Sequence, residues 1–218
     1  VYDSQPGNFW GAHGEFLATR QIDNLSSCHA ALSALLSSKD VAETQIIALF
    51  DHEEIGSESH QGAQGSFLSD VLNRLSGSAR EDERRALARS LLISADAAHA
   101  FHPSFSSAYE PLHHVQINGG PALKINANQR YATDGPRAAL FKDLSAKIGI
   151  PCQTYVHRTD LGCGSTIGPI ASARLGVPTI DCGIPMWSMH SARESAGVQD
   201  QWAFSRLLQA FLEESLSL

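Results

Sequence analysis

SLLISAD, residues 90–96, decides the fold, because six apolar or small residues run together without a charge and then stop at an aspartate. A run of that length, bounded by polar residues, reads as a buried strand ending at Asp96. Working outward, residues 45–50 (QIIALF) form a similar β-rich run that ends at Asp51. Ahead of it, residues 24–37 place apolar and small side chains at helical spacing behind Asn24 as a cap. Residues 67–75 read as a helix, and the charged stretch 79–88 leads into another. Residues 115–125 contain Gly119, Gly120 and Pro121 and read as strand or loop. A helix follows over 138–148 and a strand over 153–156. A glycine-rich turn at 162–168 then opens a short helix that ends near Gly176. Residues 178–182 make a further strand, and 202–216 a terminal helix.

This alternation predicts an α/β fold: a mostly parallel, mixed sheet with helices on both faces and ligand groups on loops at the carboxyl ends of the strands. The 218 residues, 43% of them hydrophobic, suffice for one large core, so a single catalytic domain over 1–218 is expected. Sixteen Lys and Arg against 23 Asp and Glu leave a formal charge of −7 with no basic run, so no nucleic-acid partner is expected. No stretch approaches the apolar length needed to span a bilayer, and no membrane association is expected. Cys28, Cys152, Cys163 and Cys182 lack C-x-x-C spacing and read as reduced thiols of a cytoplasmic protein. The chain opens at Val1 in a segment that reads as mid-protein, which suggests a fragment or a processed piece.

Several metal-competent or ionisable side chains follow strands or sit in loops: Asp23, Glu53, Glu54, Asp96, His99 and His190. The sharpest signal is DHEEIGS, residues 51–57. Two adjacent carboxylates are harmless in a solvated turn, but at the end of a buried strand they need a counter-charge that a divalent cation supplies. One glutamate can then bind the metal while its neighbour takes a proton from water. Glu53 reads as the general base and Glu54 as the ligand. Asp96 and His190 carry the oxygen and nitrogen donors that zinc accepts. Two metals held close together need a bridging anion, and Asp23 offers one. Each position also has a plainer reading, Asp23 as a helix cap and His190 as a core histidine.

Six blocks in order resemble the aspartyl aminopeptidase family of dinuclear zinc metallopeptidases. They are RQIDNLSSCHAAL around Asp23, FDHEEIGSESHQGAQ (50–64), ISADAAHAFHP (93–103), NGGPALKINANQRYAT (118–133), DLGCGSTIGPI (160–170) and SMHSARESAG (188–197). The resemblance implies a phosphorylase/hydrolase-like zinc peptidase fold, cleavage after an unblocked N-terminal Asp or Glu of a peptide, and a dodecameric homo-oligomer. It further implies that Asp23 bridges two zinc ions, that Asp96 binds one of them, and that Glu54 and His190 bind the other. Glu53 is then the acid/base, and the peptide bond between Asp23 and Asn24 is cis. His99, Lys124 and Tyr131 would bind substrate, and an acidic side chain does call for such cationic and hydroxyl donors. Arg130 is a competing cation, and Gly164, Ser165 and Thr166 offer further donors. Family members carry, ahead of the point matching Val1, a segment with another zinc-binding histidine and a dimerisation domain. The expectation is therefore that the zinc site containing Asp96 is one ligand short in this chain. A different hydrolase on the same scaffold, and an inactive domain with a structural role, remain open alternatives.

Overall fold

The computed structural model describes residues 2–39, 41–77 and 80–214. The chain opens with strands β1 (Asn8–Trp10) and β2 (Phe16–Thr19), then helix α1 (Ile22–Ser37). Helices α2 (Phe67–Leu75) and α3 (Arg80–Ala88) precede strands β3 (Leu92–Ala95) and β4 (Ala98–His99). Strand β5 (Ala122–Ile125), helix α4 (Gly135–Lys147), strand β6 (Gln153–Val156) and helix α5 (Ile167–Leu175) follow. Strands β7 (Thr179–Gly183), β8 (Pro185–Trp187) and β9 (Glu194–Gly197) lead into helix α6 (Val198–Glu213).

The α/β alternation forms a four-stranded sheet of order β3-β7-β5-β6. β3 pairs with β7 and β5 with β6 in parallel, while β5 and β7 run antiparallel. All five residues of β7 are buried, as expected of a central strand covered on both faces. Side chains alternate across a sheet, and two of the three core clusters follow that alternation. Ile93, Ile180 and Cys182 pack with Ala30 and Ala34 of α1, Phe141 and Leu144 of α4, and Phe204 and Leu207 of α6. Leu92 faces the other way, into a second cluster with Leu68 and Leu72 of α2, Leu87 of α3 and Leu175 of α5. Helices thus cover both faces.

A second sheet of order β1-β2-β9-β8-β4 lies outside the sequence reading. Its pairs are antiparallel except for β4 with β8. It positions the site, because β9 and the turn after β8 carry the SMHSARESAG block. The expected strand over 45–50 takes no regular structure among the described residues, and Ile46 and Leu49 stay exposed. A β-rich run becomes a strand only where a neighbour offers its ladder, which is why composition alone misleads here. Asn24 does not cap α1, since its side-chain amide donates instead to the carbonyl of Ala95 at the end of β3. Helix α4 starts three residues earlier than expected because the Asp134 carboxylate accepts the Arg137 N–H and Pro136 opens the first turn. Helix α6 likewise starts at Val198, directly after β9. Residue 79 and residues 215 and 216, expected in helices, lie outside the described residues. Among the described residues no helix is long and apolar enough to cross a membrane.

Candidate metal centre

Three irregular turns deliver the acidic and imidazole groups. Asp23 and Asn24 leave helical geometry at the head of α1 (φ −79°, ψ 111° and φ −118°, ψ 27°), and the peptide bond between them is cis, as the resemblance implies. Glu53 and Glu54 lie on a single 3-10 turn over Glu53–Ile55, between His52 (φ 62°) and Gly56 (φ 98°). The N–H groups of Gly56 and Ser57 close that turn on the carbonyls of Glu53 and His52. His190 (φ 67°) sits in the turn after β8, where the Ser191 N–H bonds the Ser188 carbonyl.

These turns converge. His190 Nε2 lies 3.2 Å from Asp23 Oδ2 and 3.2 Å from Glu54 Oε2, and one ligand atom from each of the three residues falls within 4.8 Å of the others. The Asp23 side chain is only 4% exposed, and its Oδ1 is buried without a hydrogen-bond partner. A buried carboxylate oxygen left unpaired is costly, and a cation would satisfy it. Two carboxylates and an imidazole are a donor set that zinc accepts, so the residues present fit the metal. Asp96 does not join the cluster; its Oδ2 accepts a hydrogen bond from Lys124 Nζ at 2.6 Å.

Excess negative charge shows in the proton affinities. Burial, and then the carboxylates of Asp96, Glu54 and Glu194, push Asp23 up to about 8. Burial followed by Asp96 and Glu54 pushes Glu53 up to about 7, against the opposing pull of Lys124 and His190. His99 moves the other way. Although the residue is exposed, the packing around it and the positive charge of Lys124 hold it below the ordinary histidine value.

Lys124 is almost fully buried, on β5, and its ammonium stands 5.3 Å from the ring centre of Tyr131. His99, at the end of β4, stands 6.5 Å ring to ring from Tyr155, which in turn lies 6.2 Å from Tyr131. The expected substrate-binding residues therefore neighbour one another through Tyr155, with Lys124 joined to Asp96. Of the glycine-rich turn, the Thr166 hydroxyl is already committed, donating to Asp181 Oδ1 at 2.5 Å while it accepts the Gly168 N–H. Ser165 Oγ donates to the carbonyl of Arg130.

Of the three buried acids unread in the sequence, Asp181, Glu194 and Asp200, the first two bear on the site. Asp181, fully buried in β7, also accepts the N–H of Ala132, beside Tyr131, at 2.6 Å. Glu194, the first residue of β9, accepts the N–H of Asp23 at 2.9 Å and that of His190 at 2.8 Å. Asp181 stands in an apolar strand, where an acid is rare unless paired, and that rarity was a usable signal. Glu194 follows Arg193 in a polar stretch and carried no signal.

Comparisons with known proteins bear on this site. A family model described as aminopeptidase I zinc metalloprotease (M18) matches residues 1–212. A probable M18 family aminopeptidase 2 of Mycobacterium bovis (strain BCG / Pasteur 1173P2) is 46% identical over 228 aligned residues, covering 100% of this chain and 53% of that protein. Among solved structures, a chain in the cryo-EM structure of the Ape4 and Nbr1 complex superposes with a TM-score of 0.92 at 39% identity, over 97% of this chain and 42% of that one. The S. cerevesiae mApe1 dodecamer gives a TM-score of 0.87 at 32% identity, over 98% of this chain and 49% of that one. The chain thus spans about half the length of the relatives it matches.

Proposed function

The chain belongs to the aminopeptidase I (M18) family of zinc metalloproteases, and on that footing we propose that it is the catalytic domain, over residues 1–218, of an aminopeptidase that releases N-terminal Asp or Glu from peptides. The observation that carries this reading is the convergence of Asp23, Glu54 and His190 on one point, with Glu53 adjacent. Asp23, Glu54 and His190 would hold one zinc ion. Asp96, with Asp23, would help hold a second ion. Bound zinc polarises a peptide carbonyl and lowers the pKa of water.

The protein's own groups do the rest. The Glu53 carboxylate takes a proton from the attacking water and passes it to the departing amine. Lys124 and Tyr131 would receive the acidic side chain of the substrate, with His99 beside them. Lys124 is held by Asp96. A cation at Asp96 would compete with that ammonium and free it to meet a substrate carboxylate. If the pair instead persists, the Lys124 ammonium stays with Asp96 and a neutral residue fits better, so a neutral aminopeptidase is the second reading.

The likeness to the mApe1 dodecamer supports a homo-oligomer. Four free cysteines among the described residues fit a cytoplasmic setting. The test is hydrolysis of Asp- and Glu-peptides against Leu- and Ala-peptides by the zinc-loaded protein. Glu53→Gln is expected to lower turnover by about 10²–10⁴-fold with zinc content unchanged. Lys124→Met is expected to lower kcat/KM for acidic peptides by roughly 10–100-fold, the weight of one charge-assisted bond, and to spare neutral ones. Preference for Leu or Ala in the wild type favours the second reading, and full turnover by Glu53→Gln removes Glu53 as the acid/base.

A further inference from the structure

Glu194 does for the ligands what the ligands do for a metal: it brings distant segments to one point. It is 3% exposed and stands at the start of β9, opposite Thr19 of β2. Its Oε2 accepts the N–H of Asp23, 171 positions away in the chain, and its Oε1 accepts the N–H of His190. Both segments need such a hold. His190 and, beside Asp23, Gln21 have φ values of 67° and 57°, a region that side chains other than glycine occupy at a cost. Without a shared acceptor, each turn can relax toward ordinary geometry and carry its ligand away from the other.

We propose that Glu194 is a positioning residue of the metal centre, whose single carboxylate fixes the backbones of Asp23 and His190 so that their side chains meet before metal arrives. It does not touch the metal. The proposal rests on reading Asp23, Glu54 and His190 as zinc ligands. It also accounts for a buried acid beside a site already rich in negative charge. Its two oxygens each accept one of these N–H groups, whereas an amide of the same shape presents one acceptor oxygen and an NH2 in place of the other.

Glu194→Gln keeps the shape but leaves one oxygen acceptor, so the N–H of Asp23 or His190 loses its partner. Glu194→Asp keeps both oxygens and draws them back by one methylene. The experiment measures zinc affinity by chelator competition and thermal unfolding of the metal-free protein, for the wild type, both variants and Leu87→Ala. Leu87 lies in the core cluster under α3 and touches none of the ligands. The expected result is a zinc Kd raised about 10–100-fold in both Glu194 variants, with metal-free unfolding close to wild type, while Leu87→Ala lowers the unfolding temperature and keeps the affinity. Wild-type affinity in both Glu194 variants overturns the proposal and leaves the zinc site standing. Loss of metal-free folding in both makes Glu194 a structural residue and also overturns it. Absence of zinc binding by the wild type overturns the zinc reading and this proposal together.

Discussion

Proton release on zinc binding follows from the proton affinity of Asp23. The perturbation is pH. In the metal-free protein, burial and neighbouring carboxylates hold Asp23 at about 8, so between pH 6 and 8 this ligand carries a proton that zinc must displace. Displacing one proton makes the apparent affinity rise about tenfold per pH unit, roughly 1.4 kcal/mol each. Over two units the gain is about 100-fold, and the slope flattens above the Asp23 value. Glu53, held at about 7, adds to the release, because a nearby cation favours its charged form although it is not a ligand. Calorimetric titration with zinc at pH 6.5, in two buffers of different ionisation enthalpy, reads the release directly. Between about one and two protons per zinc are expected there, falling toward zero above pH 9. Binding with no proton release at pH 6.5 would refute the picture of Asp23 as a buried, protonated ligand.

The metal-free protein should lose stability as pH rises. Asp23, Glu53 and Asp200 (pushed up to about 6 by burial) all sit above their ordinary carboxyl values. Their contribution is therefore fully present below about pH 4 and is lost as pH climbs through 6, 7 and 8 in turn. Thermal unfolding from pH 5 to 8.5 should show a falling midpoint that saturating zinc abolishes, and a flat profile without metal would count against these shifts. Gly183→Ala places a Cβ 2.0 Å from the backbone oxygen of Asp96, so an unfolding free energy lower by about 1–3 kcal/mol is expected. An unchanged urea midpoint would mean that β3 and β7 can part there at no cost. Phe204→Ala empties a fully buried position between α6 and the sheet and should cost about 3–5 kcal/mol by the same urea measurement.

The central sheet was legible because β3, β6 and β7 are short runs rich in apolar or β-branched residues, and because α2 and α5 show period and end signals that nothing overrides. The Gly176 at the end of α5 has φ 70°, which is the conformation a helix-ending glycine supplies. The second sheet was not legible. β9 reads ESAG and β4 is two residues long; neither has a period, and both exist through pairing with distant strands. Residues 45–50 show the converse, a strand-like run with no ladder among the described residues. At the site, the motif around Glu53 and Glu54 announced itself through the cost of adjacent carboxylates. The meeting of Asp23 with His190, 167 positions apart, had no local signal and came only through the resemblance. The Lys124–Asp96 pair and the double acceptor Glu194 were out of reach, since both depend on which loops the two sheets bring together.

Zinc stoichiometry of the purified chain, measured by mass spectrometry of the metal after gel filtration, tests the central claim most directly when Asp23→Asn, Glu54→Gln and His190→Ala are measured beside the wild type. At least about one zinc per wild-type chain, lost in each variant, is the result expected of a centre built from these three residues. Zinc retained by all three variants, or none held by the wild type, would contradict it.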